Sequence, residues 1–188
     1  MAVRLQIAQD PDADAVLSAD PFALLTGMLL DQQFPMERAF AGPAVIKDRF
    51  GTLAPTEIAA ADPEQFAALC ARPPAVHRFP KSMAARVQAL AAHVEREYAG
   101  DAARLWQEAD TGAELLRRLQ GLPGFGRQKA QIFVALLGKQ LQVRPARWRE
   151  AAGAYGEDGS YRSVADVVDA ESLRKVRAYK QQAKSRSR

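Results

Sequence analysis

The sequence predicts an all-α fold, and three observations support this prediction. Apolar residues recur at helical spacing along much of the 188-residue chain, which is typical of amphipathic helices. Asp20-Pro21 and Asp62-Pro63 each combine an N-cap side chain with a proline suited to the first helical turn. No repeat or composition break divides the chain, so we expect residues 1–188 to form one compact helical unit.

The N-terminal half predicts one short strand followed by three helices. Residues 3–7 alternate between apolar and polar side chains, as in a half-buried strand. The helix that opens at Pro21 is apolar on most sides, so we expect it at the centre of the core. Pro43 and Gly51 bracket a short helix, and a third helix over 62–71 has Gln65 placed for a capping box.

The C-terminal half predicts three further helices. Residues 81–98 carry the longest apolar stripe, and Gly100 is typical of the stop that follows a helix. A helix over 114–119 would pair Glu114 with Arg118. A glycine turn and another helix over 127–137 follow.

Composition limits the class of protein. The chain is 48% hydrophobic and 26% charged, as in a globular protein, and no apolar run approaches the roughly 20 residues of a bilayer span. Residues 1–10 lack the layout of a secretory signal. We therefore expect a cytoplasmic monomer with no membrane partner.

Cysteine and histidine usage argues against a metal site. The single cysteine, Cys70, excludes an internal disulfide and an iron–sulfur cluster ligated by cysteines of one chain. Its apolar surroundings predict a buried, inert thiol. His77 and His93 have no clustered acidic or cysteine partners, so we predict no metal ligands.

Positive charge is concentrated at the C-terminus. The net charge is +4, and residues 171–188 contain seven basic residues and one acidic residue. Residues 180–188 are expected to form a flexible basic tail. Basic charge favours nucleic acid through counterion release, although a solvated terminus is the simpler interpretation of the charge alone.

Residues 114–137 match a helix-hairpin-helix pattern. Six positions fit its anchors: Leu119, Leu122, Gly124, Gly126, Ala130 and Val134. Glycine permits positive φ and a close approach of phosphate to the backbone, and the free N–H groups at the head of the next helix favour an anion. We therefore predict DNA contacts by Leu122, Gly124, Phe125, Gly126, Arg127, Gln128 and Lys129. An ordinary helical hairpin with a glycine turn is the alternative, which the six anchors disfavour.

With this motif the chain resembles the helix-hairpin-helix DNA glycosylase superfamily, which includes endonuclease III, adenine glycosylase and the alkyladenine glycosylases. "PFALLTGMLLDQQFPMERA" (21–39) resembles the family's early helix and glutamine turn, and "RFPKSMAARVQALAAHV" (78–94) resembles a later helix. The likeness covers roughly residues 20–148.

The resemblance implies a two-lobed fold that holds lesion-containing double-stranded DNA in the cleft between its lobes. The damaged base would be extruded into a pocket, and Gln32 or Gln33 would enter the gap it leaves. It implies no resident cofactor here, because the iron–sulfur ligands are missing. A monovalent cation held by the hairpin carbonyls is compatible with it.

The sequence departs from the family at its catalytic positions. Pro145 stands where many members have an aspartate, and Gln128 stands where bifunctional members have a lysine. Lys129 follows one residue later, about 100° around the helix, so lyase chemistry is not predicted. Asp31 is the candidate replacement carboxylate, because it ends a very apolar helix. A solvent-exposed residue at a helix end is the alternative interpretation of Asp31.

These observations favour a base-excision DNA repair protein, and within that class a monofunctional DNA glycosylase, a hydrolase with a non-standard catalytic residue. A non-catalytic protein that binds DNA lesions or structures on the same fold is the alternative. A helical protein–protein module with an incidental glycine hairpin is the third hypothesis.

Overall fold

The computed structural model describes residues 3–188, which form eleven α-helices, two short 3-10 helices and no strand. The α-helices are α1 (Pro11–Ala19), α2 (Pro21–Leu30), α3 (Met36–Phe50), α4 (Pro55–Ala60), α5 (Pro63–Ala71), α6 (Pro80–Tyr98), α7 (Arg104–Gln107), α8 (Gly112–Gln120), α9 (Arg127–Gln140), α10 (Trp148–Ala152) and α11 (Ala170–Arg186). The 3-10 helices are Gly153–Gly156 and Val164–Asp166. The predicted all-α class is confirmed.

Side-chain caps fix several helix starts. Asp20 accepts hydrogen bonds from the N–H groups of Phe22 and Ala23 at the head of α2. Asp62 accepts one from the N–H of Gln65 at the head of α5. In both helices proline occupies the first turn, where its missing N–H costs no hydrogen bond. The predicted starts of α2 and α5 are therefore confirmed.

The helices pack in two groups around one continuous core. Helices α1 to α6 form the first group, in which α2 contacts α3 and α6 contacts α4 and α5. Helices α8, α9 and α10 form the second group with the two 3-10 helices. Every residue of α2 from Phe22 to Leu30 is buried, as its apolar sequence predicts.

In the described part of the chain, no single helix is long and apolar enough to cross a membrane. Taken together, α1 and α2 have the length and apolar composition of such a span, but the pair is bent at the break between them.

Two predictions for the N-terminal half are wrong. Residues 3–7 form no strand, because their backbone bonds to helix α1 instead: Leu5 N–H donates to the Ser18 hydroxyl. The predicted helix over 43–51 is the second half of the longer helix α3, with Pro43 inside it. Tertiary contacts with α1, α2 and α5 hold α3 across that proline.

The C-terminal tail, predicted as a flexible segment over residues 180–188, is helical as far as Arg186. The side chains of Asp169 and Ser172 form a reciprocal capping box that starts α11. The first turns bury Leu173 and Val176, and the helix then continues along the surface.

Candidate DNA interface and cleft

The hairpin forms between α8 and α9 as its sequence predicts. Ala130 is buried where the two helices meet, and Leu119 and Val134 fill the space beside it. The turn closes through backbone hydrogen bonds of 3.1 Å from Leu122 N–H to the Leu119 carbonyl and from Phe125 N–H to the Leu122 carbonyl. The turn therefore has a fixed shape before any ligand binds.

The two glycines of the turn have different roles. Gly124 has φ +82°, which favours glycine, and a Cβ there would lie 2.5 Å from Leu29 Cδ1. Gly126 has φ −77°, which any residue adopts, and a Cβ there would meet no atom within 4 Å. The expectation of positive φ holds for Gly124 alone, whereas Gly126 leaves open space at the head of α9.

The head of α9 presents unpaired donors to this open space. Gly126 is the N-cap, and no side chain caps the helix. Within the described residues, the N–H groups of Arg127, Gln128 and Lys129 have no backbone or side-chain acceptor. Free amides at a helix N-terminus form an anion site. Leu122 and Phe125 are only 3% and 4% exposed as whole residues, so both belong to the core beneath the turn.

Gln128 and Lys129 point to different parts of the molecule. Gln128 Nε2 donates to the Tyr155 hydroxyl at 2.9 Å. Lys129 Nζ donates to the carbonyls of Met28 at 2.6 Å and of Leu29 and Asp31 at 3.3 Å. Burial lowers the pKa of Lys129 to about 8. The lysine thus joins the hairpin to the C-terminal end of α2, a role that sequence spacing did not reveal.

The glutamine turn follows α2 directly. Gln32 is engaged, since its Nε2 donates to the Leu29 carbonyl at 2.9 Å and its Oε1 accepts from Arg86 at 3.0 Å. Gln33 has φ +52° and an exposed side chain. Of the two glutamines predicted to enter DNA, Gln33 is the one whose side chain is free to do so.

His77 holds the glutamine turn from the other side. Its ring is buried, its Nδ1 accepts from the Phe79 N–H at 3.0 Å, and its Nε2 lies 2.8 Å from the Gln32 carbonyl. Because Nδ1 accepts, the proton of the neutral ring lies on Nε2 and donates to Gln32. Burial lowers the pKa of His77, which favours this neutral form. No sequence signal indicates this contact, because 45 residues separate the partners.

A cavity of about 650 Å³, here called the cleft, lies between the glutamine turn and α11. Asp31 is the one carboxylate among the described residues that line it, and its side chain is 11% exposed. Lys180 Nζ lies 3.9 Å from Asp31 Oδ2. Burial raises the pKa of Asp31, while the charges of Lys180 and Lys129 act in the opposite direction.

The segment around Pro145, which we predicted to replace an aspartate, is occupied by packing contacts. Trp148 is buried, and its ring lies so close to Gly138 that a Cβ there would be 2.4 Å away. The Arg144 guanidinium donates to the Gly138 carbonyl at 2.9 Å, and the Arg149 guanidinium lies 4.6 Å from the Trp148 ring centroid. Pro145 therefore belongs to a structural segment that supplies no carboxylate.

The remaining titratable candidates are structural. The Cys70 thiol is buried as predicted, and burial raises its pKa to about 11, which disfavours the reactive thiolate. Within residues 3–188, no three or more His, Cys, Asp or Glu side chains are grouped to hold a metal ion.

Comparison with known proteins gives the same family as the hairpin and the glutamine turn. Residues 26–188 match the HhH-GPD superfamily base excision DNA repair proteins. No curated protein and no solved structure matches the chain at a significant level. The match includes the glutamine turn, the hairpin and α11, and the chain belongs to the HhH-GPD superfamily of base excision DNA repair proteins.

Proposed function

We propose that this repair protein is a monofunctional DNA glycosylase that removes a damaged or mismatched base from double-stranded DNA, with Asp31 as its catalytic carboxylate. The observation that carries the proposal is the position of Asp31. Its carboxylate lines the cleft, and its backbone carbonyl accepts a hydrogen bond from Lys129 of the hairpin helix. A phosphate bound at the head of α9 and a base extruded into the cleft would therefore lie on opposite sides of Asp31.

The proposed reaction is hydrolysis of the N-glycosidic bond. Gln33 would enter the duplex and support extrusion of the base. As the bond between the base and sugar C1′ breaks, positive charge develops on the sugar, and the Asp31 carboxylate stabilises it. A water molecule adds to C1′, and the proton released from that water ends on the departing base. Burial raises the pKa of Asp31, and the charges of Lys180 and Lys129 oppose that rise in favour of the ionised carboxylate that this role requires.

The alternative is a non-catalytic protein that binds lesions through the same surfaces. One observation favours it: Lys180 lies beside Asp31 and offsets the negative charge that the transition state would use. We further propose that the protein acts as a cytoplasmic monomer with no resident cofactor and no membrane partner. A monovalent cation at the hairpin remains compatible, because the Leu122 carbonyl accepts a hydrogen bond from Phe125 and retains a lone pair.

Base release from a panel of duplex oligonucleotides tests the proposal. The panel contains uracil, alkylated purines, oxidised bases and mismatches. We expect release from at least one duplex, and loss of that release in Asp31→Asn. Asp48→Asn, an exposed carboxylate on α3, is the matched control and should retain activity. If no lesion is released, the enzyme hypothesis fails and the lesion-binding alternative replaces it. If a base is released and Asp31→Asn remains fully active, the assignment of Asp31 as the catalytic carboxylate is wrong.

A further inference from the structure

The wall of the cleft opposite the hairpin is strongly basic. The C-terminal half of α11 contributes Arg177, Lys180 and Lys184, and Arg78 faces them from the segment before α6. Asp31 is the one acidic side chain among the described residues that line this cavity. The wall carries four positive charges, of which Lys180 is paired with Asp31 and Arg177 with Glu37, and the remaining excess of positive charge attracts polyanions.

Core packing does not explain this half of α11. The buried residues of the helix are Ser172, Leu173 and Val176, all in its first turns. Beyond them, ion pairs connect the helix to the cleft: Arg177 with Glu37, and Lys180 with Asp31. Lys184 and Arg78 form no ion pair among the described residues, and a bound phosphate would replace the carboxylates that now pair with Arg177 and Lys180.

The spacing of the cations suits the backbone of nucleic acid. Arg177, Lys180 and Lys184 follow at i, i+3 and i+7, so they share one face of α11. They span roughly 10 Å along the helix axis, which equals the rise of about three phosphates on one strand of a duplex. A single small anion would need only one of these cations.

We propose that Arg177, Lys180 and Lys184 of α11, together with Arg78, bind the phosphate backbone of duplex DNA across the cleft from the hairpin. This inference rests on the DNA binding of the proposed function and adds a second phosphate surface to the hairpin. Asp31 lies between the two surfaces, because its carbonyl accepts from Lys129 and its carboxylate pairs with Lys180, and Gln33 lines the same cavity. A strand held on both sides would place its extruded nucleotide in the cleft, and bound phosphate would draw Lys180 away from Asp31.

The salt dependence of binding to undamaged duplex DNA tests this inference. The test variant is Lys180→Gln/Lys184→Gln. The control is Lys47→Gln/Lys175→Gln, which removes the same charge from the far end of α3 and from the side of α11 where Lys175 pairs with Glu171. Fluorescence anisotropy over a series of salt concentrations gives the slope of log K against log salt concentration for each protein.

Each lost phosphate contact reduces that slope by about 0.9, so we expect a fall of up to about 1.8 in the test variant and none in the control. An unchanged slope, or an equal fall in the control, overturns the inference. Base release is measured separately: a protein that shows the slope change without releasing any base retains the α11 surface and loses only the glycosylase proposal. Release of a base with an unchanged slope excludes the α11 surface and leaves the glycosylase proposal intact.

Discussion

Replacing Gly124 with alanine should destabilise the protein, whereas the same change at Gly126 should leave stability intact and weaken DNA binding. At Gly124 the backbone has φ +82°, and an alanine in the left-handed region costs about 1–2 kcal/mol. Its Cβ would also lie 2.5 Å from Leu29 Cδ1, in a fully buried part of the core. Overpacking at such a site costs about 1–3 kcal/mol, so we expect a total loss of about 2–5 kcal/mol.

At Gly126 neither cost applies, because φ is −77° and no atom lies within 4 Å of the added Cβ. The methyl group would instead stand beside the free N–H groups of α9, where a phosphate oxygen must approach. Loss of a charge-assisted hydrogen bond costs about 1.5–3 kcal/mol, which is about tenfold or more in affinity.

Two assays separate these effects. Urea unfolding followed by circular dichroism should give a lower midpoint with an unchanged slope for Gly124→Ala and a wild-type curve for Gly126→Ala. Anisotropy with duplex DNA should then show weaker binding for Gly126→Ala while it remains folded. Equal stability of the two variants, or wild-type DNA affinity in Gly126→Ala, would refute the reasoning about the hairpin.

Three further predictions concern the neighbourhood of the cleft. Lys129→Met should lower the free energy of unfolding by about 1–3 kcal/mol in urea titrations, because the carbonyls that Lys129 joins lose their donor; wild-type stability would contradict the proposed bridge. Asp31→Asn should bind duplex DNA several-fold more tightly at low salt while it loses base release, because Lys180 no longer has a competing carboxylate; weaker binding would argue against an anionic Asp31. The lowered pKa of His77 means that the unfolded state binds more protons below about pH 6.5, so stability should fall as the pH drops through that value. In unfolding titrations at pH 7.5 and 5.5, His77→Gln should reduce this loss, and an unchanged pH dependence would exclude His77 as a contributor.

The hairpin is predictable from the sequence because its signals are local. The spacing of residues within the helix-hairpin-helix segment defines the turn, since the glycines, the small Ala130 and the apolar anchors all lie in that one segment. The starts of α2 and α5 are predictable for the same reason, since each cap involves residues two or three positions apart.

Predictions fail where tertiary contacts override a local pattern. Residues 3–7 alternate like a strand, but the described part of the chain offers no strand to pair with, and the Leu5 N–H donates to Ser18 of α1 instead. Pro43 has the local signature of a helix boundary, yet the packing of α3 against α1, α2 and α5 sustains the helix around it. The basic tail has the composition of a flexible terminus, but its capping box and its ion pairs with Glu37 and Asp31 define it as a helix.

The sequence by itself determined the all-α class and the helix-hairpin-helix turn, because each depends on residues close together in the chain. Only the tertiary structure decided the surroundings of Asp31. Its partners come from α9 and α11, about 100 and 150 residues away in the chain, and local spacing carries no information on contacts at such separations. The same holds for His77, whose hydrogen bond to the glutamine turn exists only once α2 and the segment before α6 have packed together.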